Sequence, residues 1–320
     1  MARQLGINGP SERSAQASTQ WPTARQLLLA AGIGDPRLAH VETLPEAVVA
    51  AAGIGYPVLL RPAVNLGYHG QVCVLDRSGL QTAWAAASQA AREVPGRPGG
   101  IVVEPYHPGS RISLQTMTTD GRSTVVAAVH TSVGTFPPLV PQRHTVGPEP
   151  VEPELAALAT QAMAAIGAAD GAGHVDVVLT PSGPEVVDIA ATVPSARLTE
   201  LVRLATGIDL VLAAVTIAAG HRALLTPAHT RSACEELVHA ETVGRLERRQ
   251  IDLTAVEADW FVAWAWEQPL GTDVAPPPAH SSLLARCTVT GPTLQACRAN
   301  ARHAREALAV TIAPQAPAGR

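Results

Sequence analysis

Apolar and polar residues along the first hundred positions of the chain predict helices and strands in turn. The stretch TARQLLLAAGI has helical spacing, and Thr43 with Glu46 forms a capping-box pattern that opens a second helix. The apolar run at residues 56–60 and the alternating stretch QVCVL predict two strands around a glycine-containing loop. An amphipathic helix over residues 80–94 and the strand IVVEPY follow, so helices are mixed with paired strands.

The middle of the chain predicts a strand meander, a helix and a further strand pair. Strands are expected at residues 112–117 and 123–131. Residues 132–150 are rich in proline and lack a period, so we expect a long loop, and long loops in compact domains often act as lids. A helix over residues 153–166 leads into the strands HVDVVLT and EVVDIAA, which carry acidic residues at alternating positions.

The two ends of the chain differ from its middle. Residues 1–20 are polar and aperiodic, which predicts a disordered lead-in. After helices at 196–205 and 208–219, the pattern changes to strands around residues 235–239, 258–266 and 284–289, with a final helix. This last region predicts a small α+β domain.

The composition excludes several kinds of chemistry. All 23 basic side chains are arginines, so lysine is absent. Without lysine there is no Schiff-base or pyridoxal-phosphate enzyme, no lysine general base and no P-loop lysine. A codon bias towards arginine accounts for this absence equally well, so it limits the mechanism without naming one.

Charge and cysteine spacing narrow the class of protein further. A net charge of −4, an aromatic content of 3% and the lack of a basic block argue against nucleic-acid binding. No apolar run approaches ~18 residues and the N-terminus lacks an apolar signal segment, so we expect a cytoplasmic protein with no membrane partner. The widely spaced Cys73, Cys234, Cys287 and Cys297 favour reduced thiols over a disulfide framework or a structural metal site.

Several separated segments carry a known pattern in a fixed order. GYPVLLRP at residues 55–62 precedes the glycine loop, VEPYHPG at 103–109 ends a strand, and ELVRLATGIDL at 200–210 lies on a helix. Together with the ending APPP and TVTGPTLQACRANARHA, they resemble carboxylate-amine ligases of the ATP-grasp superfamily over residues 22–313. The resemblance implies an α+β fold in which two subdomains enclose a cleft, with a small C-terminal α+β domain.

On that resemblance we divide the chain into five parts, and the family's binding residues map onto particular positions. The parts are a disordered segment 1–20, an N-lobe 21–105, a C-lobe 106–224, a C-terminal domain 225–313 and a tail 314–320. The glycine loop, where backbone N–H groups approach an anion, contains Gly67, Tyr68, His69 and Gly70, and Glu104 keeps the position near the adenine amino group.

Other family positions are altered in ways that put nucleotide use in doubt. Arg61 replaces the phosphate-binding lysine and Arg111 replaces a ribose-binding glutamate. Asp176 and Asp188 fill two positions of magnesium ligands, but Ala190 replaces the third ligand, an asparagine. On the resemblance, the family's acyl-phosphate arginine becomes Thr192 and the Gly-Gly after it becomes Pro194-Ser195, and we expect the N-terminal domain that precedes the grasp in the family to be absent. The cleft is therefore expected to have lost ordinary ligase turnover.

Acid–base residues on the paired strands remain as candidates for catalysis. Alternation places His174 and Asp176 on one face of their strand, so with Asp188 they are predicted to line the cleft, a structural ion pair with an arginine being the alternative. Arg61, Arg111 and Arg197 are candidates for binding an anion.

Further candidates lie in the proline-rich stretch and in the glycine loop. Arg143 and His144 are either lid residues over the cleft or solvated side chains of an exposed loop. Tyr68 and His69 are placed by the glycine loop, where turn formation alone also explains them.

These residues support three hypotheses of function. The favoured one is a repurposed, ATP-independent enzyme of specialised metabolism, with neither metal nor cofactor. It binds an anionic, amino-acid-like small molecule in an arginine-lined cleft and eliminates or displaces sulfate or phosphate. The second is an ATP-dependent carboxylate-amine ligase in which arginine replaces lysine and Asp176 and Asp188 hold magnesium. The third is a non-catalytic subunit whose site a smaller protein completes.

Overall fold

The computed structural model describes residues 6–65, 67, 69–93, 99–134, 140–277 and 279–314. The helices are α1 (Glu12–Thr19), α2 (Trp21–Ala30), α3 (Leu44–Ile54), α4 (Leu80–Arg92), α5 (Pro153–Ala165), α6 (Ala196–Thr206), α7 (Leu210–Ala218) and α8 (Leu294–Glu306). The strands are β1 (Ala39–Val41), β2 (Val58–Pro62), β3 (Val72–Val74), β4 (Ile101–Pro105), β5 (Ser110–Thr119), β6 (Arg122–Val133), β7 (Pro141–Val146), β8 (Gly171–Thr180), β9 (Gly183–Ala190), β10 (Ser232–His239), β11 (Gly244–Ile251), β12 (Phe261–Trp266), β13 (Asp273–Val274), β14 (Leu283–Gly291) and β15 (Leu308–Ala313).

A small antiparallel sheet with two helices forms the N-lobe. Its described strands lie in the order β1-β4-β2-β3, and α3 and α4 pack against it around a core that includes Leu60, Leu80 and Val103. The capping box expected at the start of α3 is present, since the Thr43 hydroxyl accepts from the Glu46 N–H and the Glu46 carboxylate reaches back to the Thr43 N–H.

A long antiparallel sheet forms the floor of the C-lobe. Among the described strands its order is β12-β14-β10-β7-β6-β5-β8-β9, and a three-stranded sheet, β13-β11-β15, lies beside it. One face, which includes Leu114 and Val175, packs on α2 and α5, and the other face packs on α6 and α7 through Met117 and Val129. The helices leave uncovered the part of the second face where polar side chains replace apolar ones, and the candidate site lies there.

The prediction of disorder over the whole of residues 1–20 is wrong. Disorder through residue 20 was expected, but Glu12–Thr19 form α1, capped by the Ser11 hydroxyl on the Ser14 N–H. Ala17 is buried, and the Ser18 hydroxyl accepts from the Ala191 N–H. The prediction failed because the buried face of α1 consists of serine and alanine, whose pattern does not look apolar.

The prediction of a long loop over the proline-rich stretch is also wrong. The long loop expected over residues 132–150 contains β7, which pairs with β6 on one side and β10 on the other. Backbone pairing to two neighbours buries His144 and Thr145 in a segment that has no apolar period of its own. Residues 135–139 of the expected loop lie outside the described residues.

The expected domain boundary at residue 225 falls within one continuous sheet. β10, which lies beyond that boundary, pairs with β7 over four residues, and β14 and β12 extend the same sheet. The strands of residues 225–313 therefore share a sheet with the C-lobe. Helix α8 packs on β10 and β14, as the stripe through Cys297 and Ala301 predicts.

Helices α6 and α7 meet at a sharp bend. Gly207 ends α6 in the left-handed conformation with a φ of 79°, and its N–H returns to the Arg203 carbonyl. Of the described helices, none by itself is long and apolar enough to cross a membrane, while α6 and α7 taken together pass that test with a bend of 102° between them.

The bend at Gly207 gives a test of the packing. Gly207→Ala places a Cβ 2.8 Å from the Cβ of Ala228, whereas Gly220→Ala, at a similar φ of 81°, meets no atom within 4 Å. We expect Gly220→Ala to cost about 1–2 kcal/mol for the left-handed backbone alone, and Gly207→Ala to cost more. Urea unfolding of both variants checks this, and equal losses would contradict it.

Candidate functional site

The two lobes are joined at Arg61, the last arginine before the glycine loop. Its side chain leaves β2 of the N-lobe and is only 2% exposed. Nη1 donates to the Val187 carbonyl at 3.0 Å and lies 3.8 Å from Glu104 Oε1, while Nη2 lies 3.6 Å from Asp188 Oδ1. Two carboxylates of the protein itself therefore face the Arg61 charge, while Nη2 has no hydrogen-bond partner among the described residues.

Trp21 and Asn65 complete the contact between the lobes. The Arg61 guanidinium lies over the Trp21 ring, 4.5 Å from its centroid, and the Trp21 indole N–H donates to Glu104 Oε2 at 3.0 Å. The Asn65 amide donates to Asp188 Oδ1 at 2.8 Å. Burial raises the pKa of Glu104, and the Arg61 charge and the Trp21 hydrogen bond oppose that rise. We call Arg61 with these four residues the Arg61 latch.

Arg25 forms a second buried attachment between α2 and β9. Its guanidinium donates to the carbonyls of Val186 and Asp35, at 3.0 and 2.8 Å, and to Glu185 Oε1 at 3.1 Å. Arg25 is 2% exposed and bound to the protein itself. Its charge is therefore used for packing α2 against the sheet.

Beside the latch, polar side chains of β5 and β8 share one face of the large sheet. Ser113 lies opposite Asp176 and Gln115 lies opposite His174, and the Ser113 hydroxyl donates to Asp176 Oδ1. Asp188 of β9 lies opposite Asp176 on the other side. The structure thus brings together the three predicted catalytic residues, His174, Asp176 and Asp188.

This group has unused hydrogen-bonding capacity. Among the described residues, His174 Nδ1 and Gln115 Oε1 are buried without a hydrogen-bond partner. Burial raises the pKa of Asp176, the Asp188 charge adds to the rise, and His174 opposes it. Buried polar atoms without partners cost free energy, so their presence here points to a ligand or a reacting group at this place.

Arg111 and the hinge residues close the remaining space. Arg111 precedes Ser113 on the same face of β5, and a cavity of about 40 Å³ lies between it, Glu104, Asp176 and Asp188. Such a volume holds a few water molecules, so a larger ligand has to enter by separation of the lobes. Tyr106 contacts Arg111, and burial raises the pKa of the Tyr106 phenol.

The polar face continues from β5 across β6 and β7 to β10. Paired residues carry it, since Arg111 lies opposite Thr131, Thr131 opposite His144, and His144 opposite Glu235. His144 Nδ1 and the Thr131 hydroxyl are 3.0 Å apart. His144 is therefore a buried floor residue near the start of α6 and not part of a lid.

Arg197, near the start of α6, sets the electrostatics of this second region. Burial and the Arg197 charge together lower the pKa of His144 to about 4. Burial raises the pKa of Glu235, while Arg197 and Arg286 oppose the rise, and Arg286 Nη1 lies 3.3 Å from Glu235 Oε1. Among the described residues, Glu235 Oε2 is buried without a hydrogen-bond partner. The region thus combines the guanidinium groups of Arg197 and Arg286 with the Glu235 carboxylate, an arrangement suited to binding a zwitterion.

The prediction that Arg143 is a lid residue or a solvated loop residue is wrong. Its neighbour in sequence, His144, lies on the cleft face of β7 instead. Alternation along β7 turns Arg143 to the opposite side, where its Nε donates to Glu236 Oε2 beneath α8. Burial raises the pKa of the nearby Cys287 thiol to about 12. Arg143 therefore stabilises the core under α8 and does not reach a ligand in the cleft.

The glycine loop is organised by the protein's own contacts. The Gly67 N–H donates to Asn65 Oδ1 at 3.1 Å, and His69 Nε2 lies 2.8 Å from Glu93 Oε2. Gly70 has a φ of 75° and packs so closely that a Cβ would lie 2.5 Å from Ala90 Cβ. Tyr68 lies outside the described residues. Close packing against α4 thus explains Gly70 without an anion.

At the family's magnesium positions, the two carboxylates already contact side chains of the protein itself. Asp176 accepts from Ser113, Asp188 accepts from Asn65 and faces Arg61, and Ala190 supplies no oxygen. In the described part of the chain, no group of three or more His, Cys, Asp or Glu side chains is arranged to hold a metal ion. Magnesium is usually held by one or two carboxylates together with substrate phosphates and water, and the Arg61 guanidinium beside Asp188 opposes its charge.

Comparison with known proteins establishes the family. The model described as "Carbamoyl-phosphate synthase L chain, ATP binding domain" matches residues 28–225, more than half of the chain. The chain therefore belongs to the ATP-grasp family, as its motifs predicted. The uncharacterized protein y4rH of Sinorhizobium fredii is 25% identical over 261 residues, which cover 77% of this chain and 51% of that protein.

Other proteins match over a shorter stretch or at a lower sequence identity. The carbamoyl phosphate synthase large chain of Kineococcus radiotolerans is 34% identical over 89 residues, 28% of this chain and 8% of that protein. The chain thus spans about half of y4rH and a small part of the synthase. The L-amino acid ligase of Bacillus licheniformis has the same fold, with a TM-score of 0.82, 18% identity and coverage of 98% of this chain and 77% of that one. This likeness confirms the predicted ATP-grasp α+β fold.

Several residues of the site were not found from the sequence. Ser113 and Gln115 alternate with Arg111 on β5, so the period of two already placed them on the cleft face. Trp21 and Asn65 carried no such signal, because each acts through a contact between the lobes. Glu235 was placed in a strand without a role, and only its pairing with His144 brings it to the site.

The latch gives a direct stability test. Arg61→Met leaves Glu104 and Asp188 without their counter-charge, so we expect a loss of about 3–5 kcal/mol in the free energy of unfolding. Arg37→Met removes an ion pair whose arginine side chain is 57% exposed, and it should change stability by less than about 1 kcal/mol. Urea unfolding measures both. A loss at Arg61 as small as that at Arg37 would show that the latch does not hold the lobes.

The electrostatics of the second region predict a pH dependence. The pKa of His144 is lowered from 6.5 to about 4, so the native state binds fewer protons than the unfolded state between these values. The stability that His144 contributes is therefore complete above pH 6.5 and is lost as the pH falls towards 4. We expect its ring NMR signals to stay constant from pH 8 to 5 and the pKa to rise in Arg197→Gln. A titration near pH 6.5 in the unchanged protein would contradict this.

Proposed function

We propose that this ATP-grasp protein is an ATP-independent enzyme of specialised metabolism that acts on an anionic, amino-acid-like small molecule. The observation that carries the proposal is the state of Arg61. The side chain that replaces the family's phosphate-binding lysine is buried between Glu104 and Asp188, where a nucleotide phosphate would compete with two carboxylates of the protein itself.

The remaining polar face has the groups that an amino acid requires. Guanidinium groups bind carboxylate, sulfate and phosphate through paired hydrogen bonds, and Arg111 and Arg197 lie at the two ends of this face. Glu235 Oε2, which is buried and has no hydrogen-bond partner in the described part of the chain, is an acceptor for an ammonium group. A substrate with both charges would thus extend from β5 towards β10.

The group around His174 supports proton transfer. Among the described residues, His174 Nδ1 has no hydrogen-bond partner and accepts a proton when the ring is neutral, and Asp176 lies on the same face of β8 with its pKa raised by burial. In an intramolecular displacement, a nucleophile of the substrate forms a bond to carbon and gives its proton to this base. The bond to sulfate or phosphate breaks, and the anion leaves with the electron pair. This reaction is redox-neutral and needs neither nucleotide nor metal.

An ATP-dependent ligase is the alternative, and it is favoured by one observation. The fold matches an L-amino acid ligase along almost the whole chain. In that case Arg61 would have to exchange Asp188 for a nucleotide phosphate when the lobes separate. The two functions therefore differ in what happens on addition of magnesium and ATP.

Calorimetry with two probes separates the functions. We expect Mg-ATP to give no binding heat and no ADP above background, and O-phosphoserine to bind and release phosphate. Arg111→Gln should weaken O-phosphoserine binding about tenfold, equivalent to about 1.4 kcal/mol. Arg203→Gln changes an exposed ion pair on α6 and should leave binding unchanged. ADP release that depends on magnesium and an amino acid would overturn the proposal in favour of the ligase.

A further inference from the structure

A groove of about 670 Å³ lies away from the polar face, beside β6. Its floor consists of consecutive residues of that strand, 123–128, so it runs along the strand edge rather than across a sheet face. One wall comes from residues 147–151 and from α5, and the other from the end of α6 and residues 225–230. Of the residues assigned to catalysis or anion binding, none that the structure describes lines this groove.

The edge of β6 along the groove has no backbone partner among the described residues. β6 pairs with β5 over its whole length, but β7 covers only residues 129–133 of the other edge. No described backbone or side-chain hydrogen bond reaches the backbone of residues 122–128 from that side. Alternate N–H and C=O groups of an antiparallel strand point away from its partner, so this edge presents donors and acceptors over about 20 Å.

The shape of the groove decides what can use this edge. Helix α5 and the end of α6 rise on its two sides, and the unpaired Val126 forms a bulge in β6 opposite β5. A second copy of β6, embedded between the same walls, cannot approach closely enough to pair. A single extended strand can enter, and it would continue the line of β7 beyond Val146.

The side chains around the edge define the chemistry of that strand. The lining is mainly valine, alanine, proline and threonine, and Glu149 alone of the described lining residues carries a charge. Glu149 lies three residues after the end of β7. Burial lowers the pKa of the nearby His130, and the Glu149 charge opposes that shift. A strand antiparallel to β6 would have its N-terminal end near residue 128, next to Glu149.

We propose that this groove binds an extended peptide segment of a partner protein as an added strand on β6. The segment has an uncharged middle of alternating small apolar and hydroxyl side chains and a basic group at its N-terminal end. Main-chain hydrogen bonds supply affinity, and the pockets between α5 and α6 supply selectivity. This proposal does not depend on the reaction in the cleft.

Hydrogen exchange of the full chain with a defined probe tests the proposal. The probe is a blocked hexapeptide that begins with arginine and continues with alternating valine and threonine. At millimolar concentration it should slow amide exchange within residues 122–128. The same peptide with alternate amides N-methylated should give no protection, because it cannot pair with the strand edge.

Two matched variants locate the binding in the groove. Ala157 and Ala164 are both exposed on α5, but only Ala157 lines the groove. Ala157→Trp fills the groove and should abolish the protection, whereas Ala164→Trp should retain it. The proposal is overturned if the probe gives no protection of residues 122–128, if the N-methylated peptide protects equally, or if Ala157→Trp has no effect while folding normally.

Discussion

A buried guanidinium is the constraint on which the arrangement of this protein depends. Arg61 lies at the contact of the two lobes, and a charge in that position has to be matched by carboxylates and hydrogen-bond acceptors. Glu104 comes from the N-lobe and Asp188 with the Val187 carbonyl from the C-lobe, so the contacts of one side chain link both lobes. In family members, the lysine at this position holds the phosphates of the nucleotide.

This use of Arg61 separates the cleft into two parts. Near the hinge, the latch lies beside a cavity of about 40 Å³. Along the sheet, His174, Asp176 and the region of His144 and Glu235 keep polar groups whose hydrogen-bonding capacity is not used up. The proposal of a reactive surface that works without a nucleotide rests on this burial of charge.

The sequence was a good guide to whatever is local or periodic. The capping box of α3, the strand pairs and the shared face of His174 and Asp176 follow from spacing alone. It failed where pairing between distant segments decides the structure. β7 has no period, yet two neighbouring strands bury it, and α1 hides a buried face made of alanine and serine. Arg61 was found from its motif, but its partners Asp188 and Trp21 are distant in sequence.

The distance between the lobes is the most direct measure of the latch. Spin labels at Val49 on α3 and Leu212 on α7, both exposed, report that distance, and the four native cysteines are buried. With Arg61 bound to both lobes, pulsed electron resonance should show one narrow distance distribution that Mg-ATP leaves unchanged and that broadens in Arg61→Met. A distribution that shifts when Mg-ATP is added to the otherwise unchanged protein would contradict the account.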